Sequence, residues 1–77
     1  MARKSKDWQA LAKGILKAEL ARRGLSYAEL ADKLAEIGIK ENRRNITNKI
    51  GRGNFAATFL IQCLTAIGAK TIHLEDE

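Results

Sequence analysis

The sequence has no proline, one cysteine, one histidine and one tryptophan. Without proline, its turns must come from glycine and asparagine. One cysteine cannot close an internal disulfide, and a lone histidine beside it cannot hold a structural zinc ion. No metal, cofactor or small-molecule substrate is expected. No apolar run approaches the ~18–20 residues of a membrane span, so no membrane partner is expected. Met1 to Lys6 is basic, but no apolar segment follows it, so no secretory signal is expected. An unpaired cysteine without such a signal fits the cytoplasm. No nucleophile–base–acid set can be assembled from one histidine and scattered carboxylates, so the chain is not expected to be an enzyme.

What is present is 77 residues, 45% hydrophobic and 30% charged, with a net charge of +5. That is one folded domain with a thin core. Such a core supplies on the order of 3–5 kcal/mol, which favours tidy helix packing or oligomerisation. The charge is unevenly placed. Residues 1–23 carry a net of +5 and residues 42–54 a net of +4, while residues 24–41 and 55–77 each carry −2. The stretch 42–54 has Arg43, Arg44, Lys49 and Arg52 and no acid, interleaved with Asn42, Asn45, Thr47, Asn48 and Asn54. These are the side chains that bond phosphates and base edges. The same run also reads as a solvated helix face.

Helical periodicity runs almost throughout. A first helix is expected over 7–23, capped by Asp7, with Trp8, Leu11, Ile15 and Ala18 at helical spacing, Leu16 and Leu20 widening the face, and Gly24 ending it. Trp8 is read as a core anchor, with a stacking platform as the other reading. A second helix opens on the capping box Ser26/Glu29, buries Leu30, Ala31 and Leu34, and ends between Ala35 and Gly38. A third is expected over about 42–51, capped by Glu41 or Asn42. Its only large apolar residues are Ile46 and Ile50, four apart; the opposite stripe is Arg44, Asn48 and Arg52. A fourth, over about 55–67 with Gly68 closing it, is apolar nearly all round, which places it in a core or in a dimer interface. Thr71 to Glu75 alternates polar and apolar residues, as a short strand or an ordered tail would. The expected organisation is a flexible basic arm (1–6), an all-α domain of four to five short helices (7–70) and a strand or acidic tail (71–77).

Gly24-Leu25-Ser26-Tyr27-Ala28-Glu29-Leu30-Ala31 resembles the opening of helix 2 in lambda-repressor-like (Xre-type) helix-turn-helix domains. Ile50-Gly51-Arg52-Gly53-Asn54 resembles that family's exit from the recognition helix, and Phe59 to Gly68 is similar to its apolar fourth helix. Within that family, residues 48–55 and 59–64 look like a group of short uncharacterised bacterial proteins. Three departures stand out. Tyr27 replaces the family's phosphate-contacting Gln. Leu20 and Gly51 replace a paired Arg and Glu, so the pair is lost as a unit. The segment before the third helix is about five residues longer than the family's tight turn.

The resemblance implies a transcriptional regulator whose third helix enters the major groove of double-stranded DNA while the second crosses the backbone. Arg44 is the first choice for a base contact. The glycine register adds Asn45 and Lys49; the amphipathic register adds Asn48 and Arg52. Ser26, Tyr27, Arg43, Arg52 and Asn54 are the phosphate candidates. Arg3, Lys4 and Lys6 form an arm that either tracks the backbone or a minor groove, or is an unstructured soluble terminus. A homodimer is expected, engaging half-sites about 34 Å apart, with Phe59, Leu60, Cys63, Ile72 and Leu74 at its contact. Burial of the fourth helix in the chain's own core competes with that. The alternative function is a helical, antitoxin-like protein-interaction module that does not read DNA. Cys63 is read as inert core.

Overall fold

The computed structural model describes residues 7–72 and Leu74. Four helices follow in order: α1 (Trp8–Arg23), α2 (Tyr27–Glu36), α3 (Arg43–Arg52) and α4 (Ala57–Ala66). Among the described residues there is no strand; Thr71, Ile72 and Leu74 are irregular, and the rest of the expected strand lies outside the described residues, as does the basic arm. No helix is long and apolar enough to cross a membrane.

The helix starts follow the polar residues read from the sequence. Asp7 accepts from the Ala10 N–H at 3.0 Å. Ser26 Oγ accepts from the Glu29 N–H at 3.1 Å and Glu29 Oε1 from the Ser26 N–H at 2.8 Å, a complete capping box. Asn42, not Glu41, caps α3, accepting from the Asn45 N–H at 2.8 Å. α4 has no side-chain cap, and it begins after Phe55 and Ala56 rather than at Phe55.

α1 and α2 each pack against both α3 and α4. The core holds Leu16 and Leu20 of α1, Leu30 and Leu34 of α2, Ile46 and Ile50 of α3, and Phe59, Cys63 and Leu64 of α4, with Ile67 closing it. Each fully buried aliphatic side chain contributes about 1.5–3 kcal/mol relative to exposure.

The face of α1 differs from the sequence reading. Trp8 is 69% exposed and Ala18 is exposed, so Trp8 is not a core anchor. The buried stripe is Leu16, Glu19 and Leu20. Glu19 is buried because Arg22 and Arg23 both reach its carboxylate. Arg23 also donates through Nε to the Ile67 carbonyl at 3.1 Å, tying the end of α1 to the end of α4. A buried carboxylate with two guanidinium partners is compensated rather than orphaned.

α1 meets the exit of α3 at two points. Lys13 Nζ donates to the Gly51 carbonyl at 3.1 Å. Gly53, at φ +71°, ends α3 so close to α1 that a Cβ there would lie 2.7 Å from the Gln9 carbonyl oxygen. Leu20 is buried in the core and Gly51 accepts from Lys13 through its carbonyl, so this α1–α3 link runs from a side chain to the backbone.

Candidate nucleic-acid interface

α3 divides into two faces. Ile46 and Ile50 are fully buried, one turn apart, and dock the helix. Arg43, Arg44, Asn45, Thr47, Asn48 and Arg52 are exposed. The side chains fall this way because Ile46 and Ile50 are the only large apolar residues a 3.6-residue repeat can turn inward.

The outer face borders an open concavity of about 620 Å³ lined by Ser26, Tyr27, Ala28, Arg43, Arg44, Thr47 and Asn48. The N-terminal turns of α2 and α3 therefore share one groove. No acid lines it, and neither Arg43 nor Arg44 forms an ion pair among the described residues. The positive ends of two helix dipoles add to the two guanidinium groups. The N–H groups of Tyr27 and Ala28, in the first turn of α2, have no acceptor within the helix. Thr47 Oγ1 donates to the Arg43 carbonyl at 2.7 Å, which leaves its lone pairs facing outward.

The groove brings together five residues expected to meet DNA: Ser26, Tyr27, Arg43, Arg44 and Asn48. Asn45 is exposed but does not line it. Arg52 and Asn54 are exposed at the far end of α3, on either side of Gly53.

Lys49 is the exception. Its ammonium donates to Glu41 Oε2 at 2.6 Å and sits 4.8 Å from the centre of the Phe59 ring. Phe59 in turn meets Phe55 edge to face, with centroids 5.5 Å apart. Lys49, also expected to contact a base, is engaged with the α2–α3 connection and α4, whereas Arg44 and Asn48 line the groove. The amphipathic register, Arg44 with Asn48 and Arg52, describes the outward stripe. The Glu41–Lys49 pair also anchors residues 37–42, the long segment before α3. Sequence periodicity gave no sign of it, because the partners belong to different elements.

The expected dimer contact also changes. Phe59 and Cys63 are buried in the chain's own core and Leu60 is half-buried against it. Among the described residues, Ile61 is 58%, Ile72 48% and Leu74 68% exposed. Ile61 and Ile72 flank a shallow concavity with Leu64 and Ala69.

Cys63 is fully buried, and burial, with Glu41 nearby, pushes its thiol up from 9.0 to about 12, against a smaller lowering by Lys49. The thiol is therefore expected to resist a thiol-specific disulfide reagent in the native protein at pH 8 and to react fully on unfolding. The stability linked to this shift is complete below the unfolded value and is lost as pH rises from about 9 toward 12. A native thiol that reacts as fast as a free one would refute its placement.

No curated protein and no solved structure matches the chain. One family does match, over residues 8–72, which takes in all four helices and the groove between α2 and α3. The chain thus belongs to the family described as a domain of unknown function, DUF6471.

Proposed function

We propose that the protein is a small, sequence-specific DNA-binding protein of the helix-turn-helix kind, acting as a cytoplasmic transcriptional regulator. One observation carries the reading: the acid-free groove in which Ser26 and Tyr27 of the α2 start meet Arg43, Arg44 and Asn48 of α3. α3 enters the major groove and α2 abuts the flanking backbone. Arg44 bonds guanine O6 and N7, and Asn48 reads adenine N6 and N7 by the same two-point geometry. Asn45 is an adjoining reader. Ser26, Tyr27 and the first N–H groups of α2 meet one phosphate; Arg43, Arg52 and Asn54 meet others. The arm of Arg3, Lys4 and Lys6 lies outside the described residues; its charge adds to the attraction for a polyanion.

The test is fluorescence anisotropy on pooled genomic duplexes at two salt concentrations, followed by recovery of the bound site. Binding is expected to weaken steeply with salt. Arg44→Ala is expected to cost about 1–3 kcal/mol at the recovered site and to relax preference at one base position. Absence of salt-sensitive duplex binding would end this reading.

A homodimer completes the proposal, since two copies engage two half-sites. Ile61, Ile72 and Leu74 supply its contact. Sedimentation equilibrium is expected to show a dimer that Ile61→Asp converts to a monomer. A wild-type monomer at all concentrations, in complex with another protein over Ile61 and Ile72, would instead favour a protein-interaction module. The exposed isoleucines are the observation behind that second reading.

A further inference from the structure

Thr47 is exposed and lines the groove with Arg43, Arg44 and Asn48 of the same helix. It follows Arg44 by three residues and Arg43 by four, a spacing that puts all three side chains on one helix face. Its hydroxyl donates its only proton to the Arg43 carbonyl at 2.7 Å. In the α-helical pattern that carbonyl already accepts the N–H four residues on, so the hydroxyl caps no orphan acceptor. Threonine is also a weaker helix former than alanine, leucine or lysine. Neither capping nor propensity accounts for a threonine here. The bond does hold the side chain in one rotamer, with Oγ1 turned back onto its own helix. Cγ2 is left to meet a ligand, its position set in advance. It is the one methyl group that α3 contributes to the groove lining; the other, that of Ala28, belongs to α2.

We infer that Thr47 is a specificity-determining residue, its Cγ2 methyl packing against the C5 methyl of a thymine in the major groove, beside the bases met by Arg44 and Asn48. This rests on the DNA-binding reading of α3. The chemistry selects the base. Thymine is the base that presents an apolar group at its major-groove edge. A hydroxyl that has spent its proton cannot donate to the acceptors of guanine or thymine. Arg44 and Asn48 meet bases through hydrogen bonds; Thr47 adds a contact that removes two methyl groups from water. Its rotamer is already held, so the contact costs little side-chain entropy.

The test uses the full chain and the duplex recovered from pooled genomic fragments, with each dT in turn replaced by deoxyuridine. Deoxyuridine keeps the hydrogen-bonding edge of dT and lacks only the methyl. Wild-type affinity, read by anisotropy, is expected to fall about fourfold at one such position, the loss of one buried methyl contact. Thr47→Ser keeps the hydroxyl and loses the methyl. It is expected to bind the dT duplex about fourfold more weakly than wild type and to show no further loss with deoxyuridine. Thr47→Val keeps a methyl in the same volume and is expected to retain the wild-type response. Melting temperatures of both variants are expected to stay within a few degrees of wild type, since Thr47 is exposed. If no deoxyuridine weakens wild-type binding, or the recovered site holds no dT, the inference fails and the α3 reading stands. It fails equally if Thr47→Ser keeps the response to deoxyuridine, because another residue then meets the methyl. Full affinity in Thr47→Ser with a loss in Thr47→Val would assign the contact to the hydroxyl oxygen and overturn the inference. If wild type shows no salt-sensitive duplex binding, both readings fail.

Discussion

Gly53→Ala is expected to lower stability by more than about 2 kcal/mol and the melting temperature by about 10 °C or more. Two costs combine. At φ +71° an L-residue pays about 1–2 kcal/mol for the left-handed backbone. The added Cβ would also lie 2.7 Å from the Gln9 carbonyl oxygen and 3.1 Å from its carbon. Those are backbone atoms of the first turn of α1, so the clash is relieved only by moving that helix off the end of α3. Gly24 provides the matched control. Its φ is +67°, but a Cβ there meets nothing within 4 Å. Gly24→Ala should pay only the backbone cost, about 1 kcal/mol. Thermal melts followed by circular dichroism separate the two. Equal losses would mean that the close approach of α1 to Gly53 is not a feature of the native protein. In a domain this small, a loss of 2 kcal/mol is a large part of the total.

The double variant Arg43→Ala/Arg44→Ala is expected to reduce duplex affinity on the order of a hundredfold or more, with little change in melting temperature. In the proposed complex, Arg44 would carry a base contact worth about 1–3 kcal/mol. Arg43 would carry a phosphate contact, a charge-assisted bond worth about 1.5–3 kcal/mol. Neither side chain is buried and neither has an ion-pair partner among the described residues, so removing them leaves no charge unpaired. The thermal melt matters as much as the affinity. If the melting temperature fell with the affinity, the arginines would be supports of the fold rather than contacts. Lys49→Ala should behave in the opposite sense. It unpairs the half-buried Glu41 and removes the cation over Phe59, so it should destabilise the domain.

What was legible in the sequence was local. The capping box of Ser26 and Glu29, the Asn42 cap and the Ile46/Ile50 stripe each depend on residues within one turn of one another. Short-range hydrogen bonds and a 3.6-residue repeat decide them. α1 was misread because it carries two apolar stripes. Trp8, Leu11, Ile15 and Ala18 form one, and Leu16 and Leu20 another. Burial followed the second because Glu19, lying beside it, can be buried when Arg22 and Arg23 both reach its carboxylate. α4 looked too apolar for one small domain to cover, yet four helices bury Phe59, Cys63 and Leu64 and leave mainly Ile61 outside. The contacts that set α3 in place were not legible. Lys13 with Gly51, Glu41 with Lys49, and Gln9 with Gly53 join residues distant in sequence, and none leaves a periodic trace. Among them, the pairing with Glu41 engages Lys49, while Arg44 stays exposed without an ion-pair partner among the described residues.

The most direct test of the central claim, that the outward face of α3 and the start of α2 form a DNA interface, is the salt dependence of duplex affinity in three single variants. The logarithm of the binding constant falls linearly with the logarithm of salt concentration, with a slope set by the number of phosphates neutralised. Arg43→Ala and Arg52→Ala should each reduce that slope by about one. Lys49→Ala, assayed where it remains folded, should leave the slope unchanged. A slope that falls with Lys49→Ala but not with Arg43→Ala or Arg52→Ala would contradict the account, as would affinity that does not respond to salt.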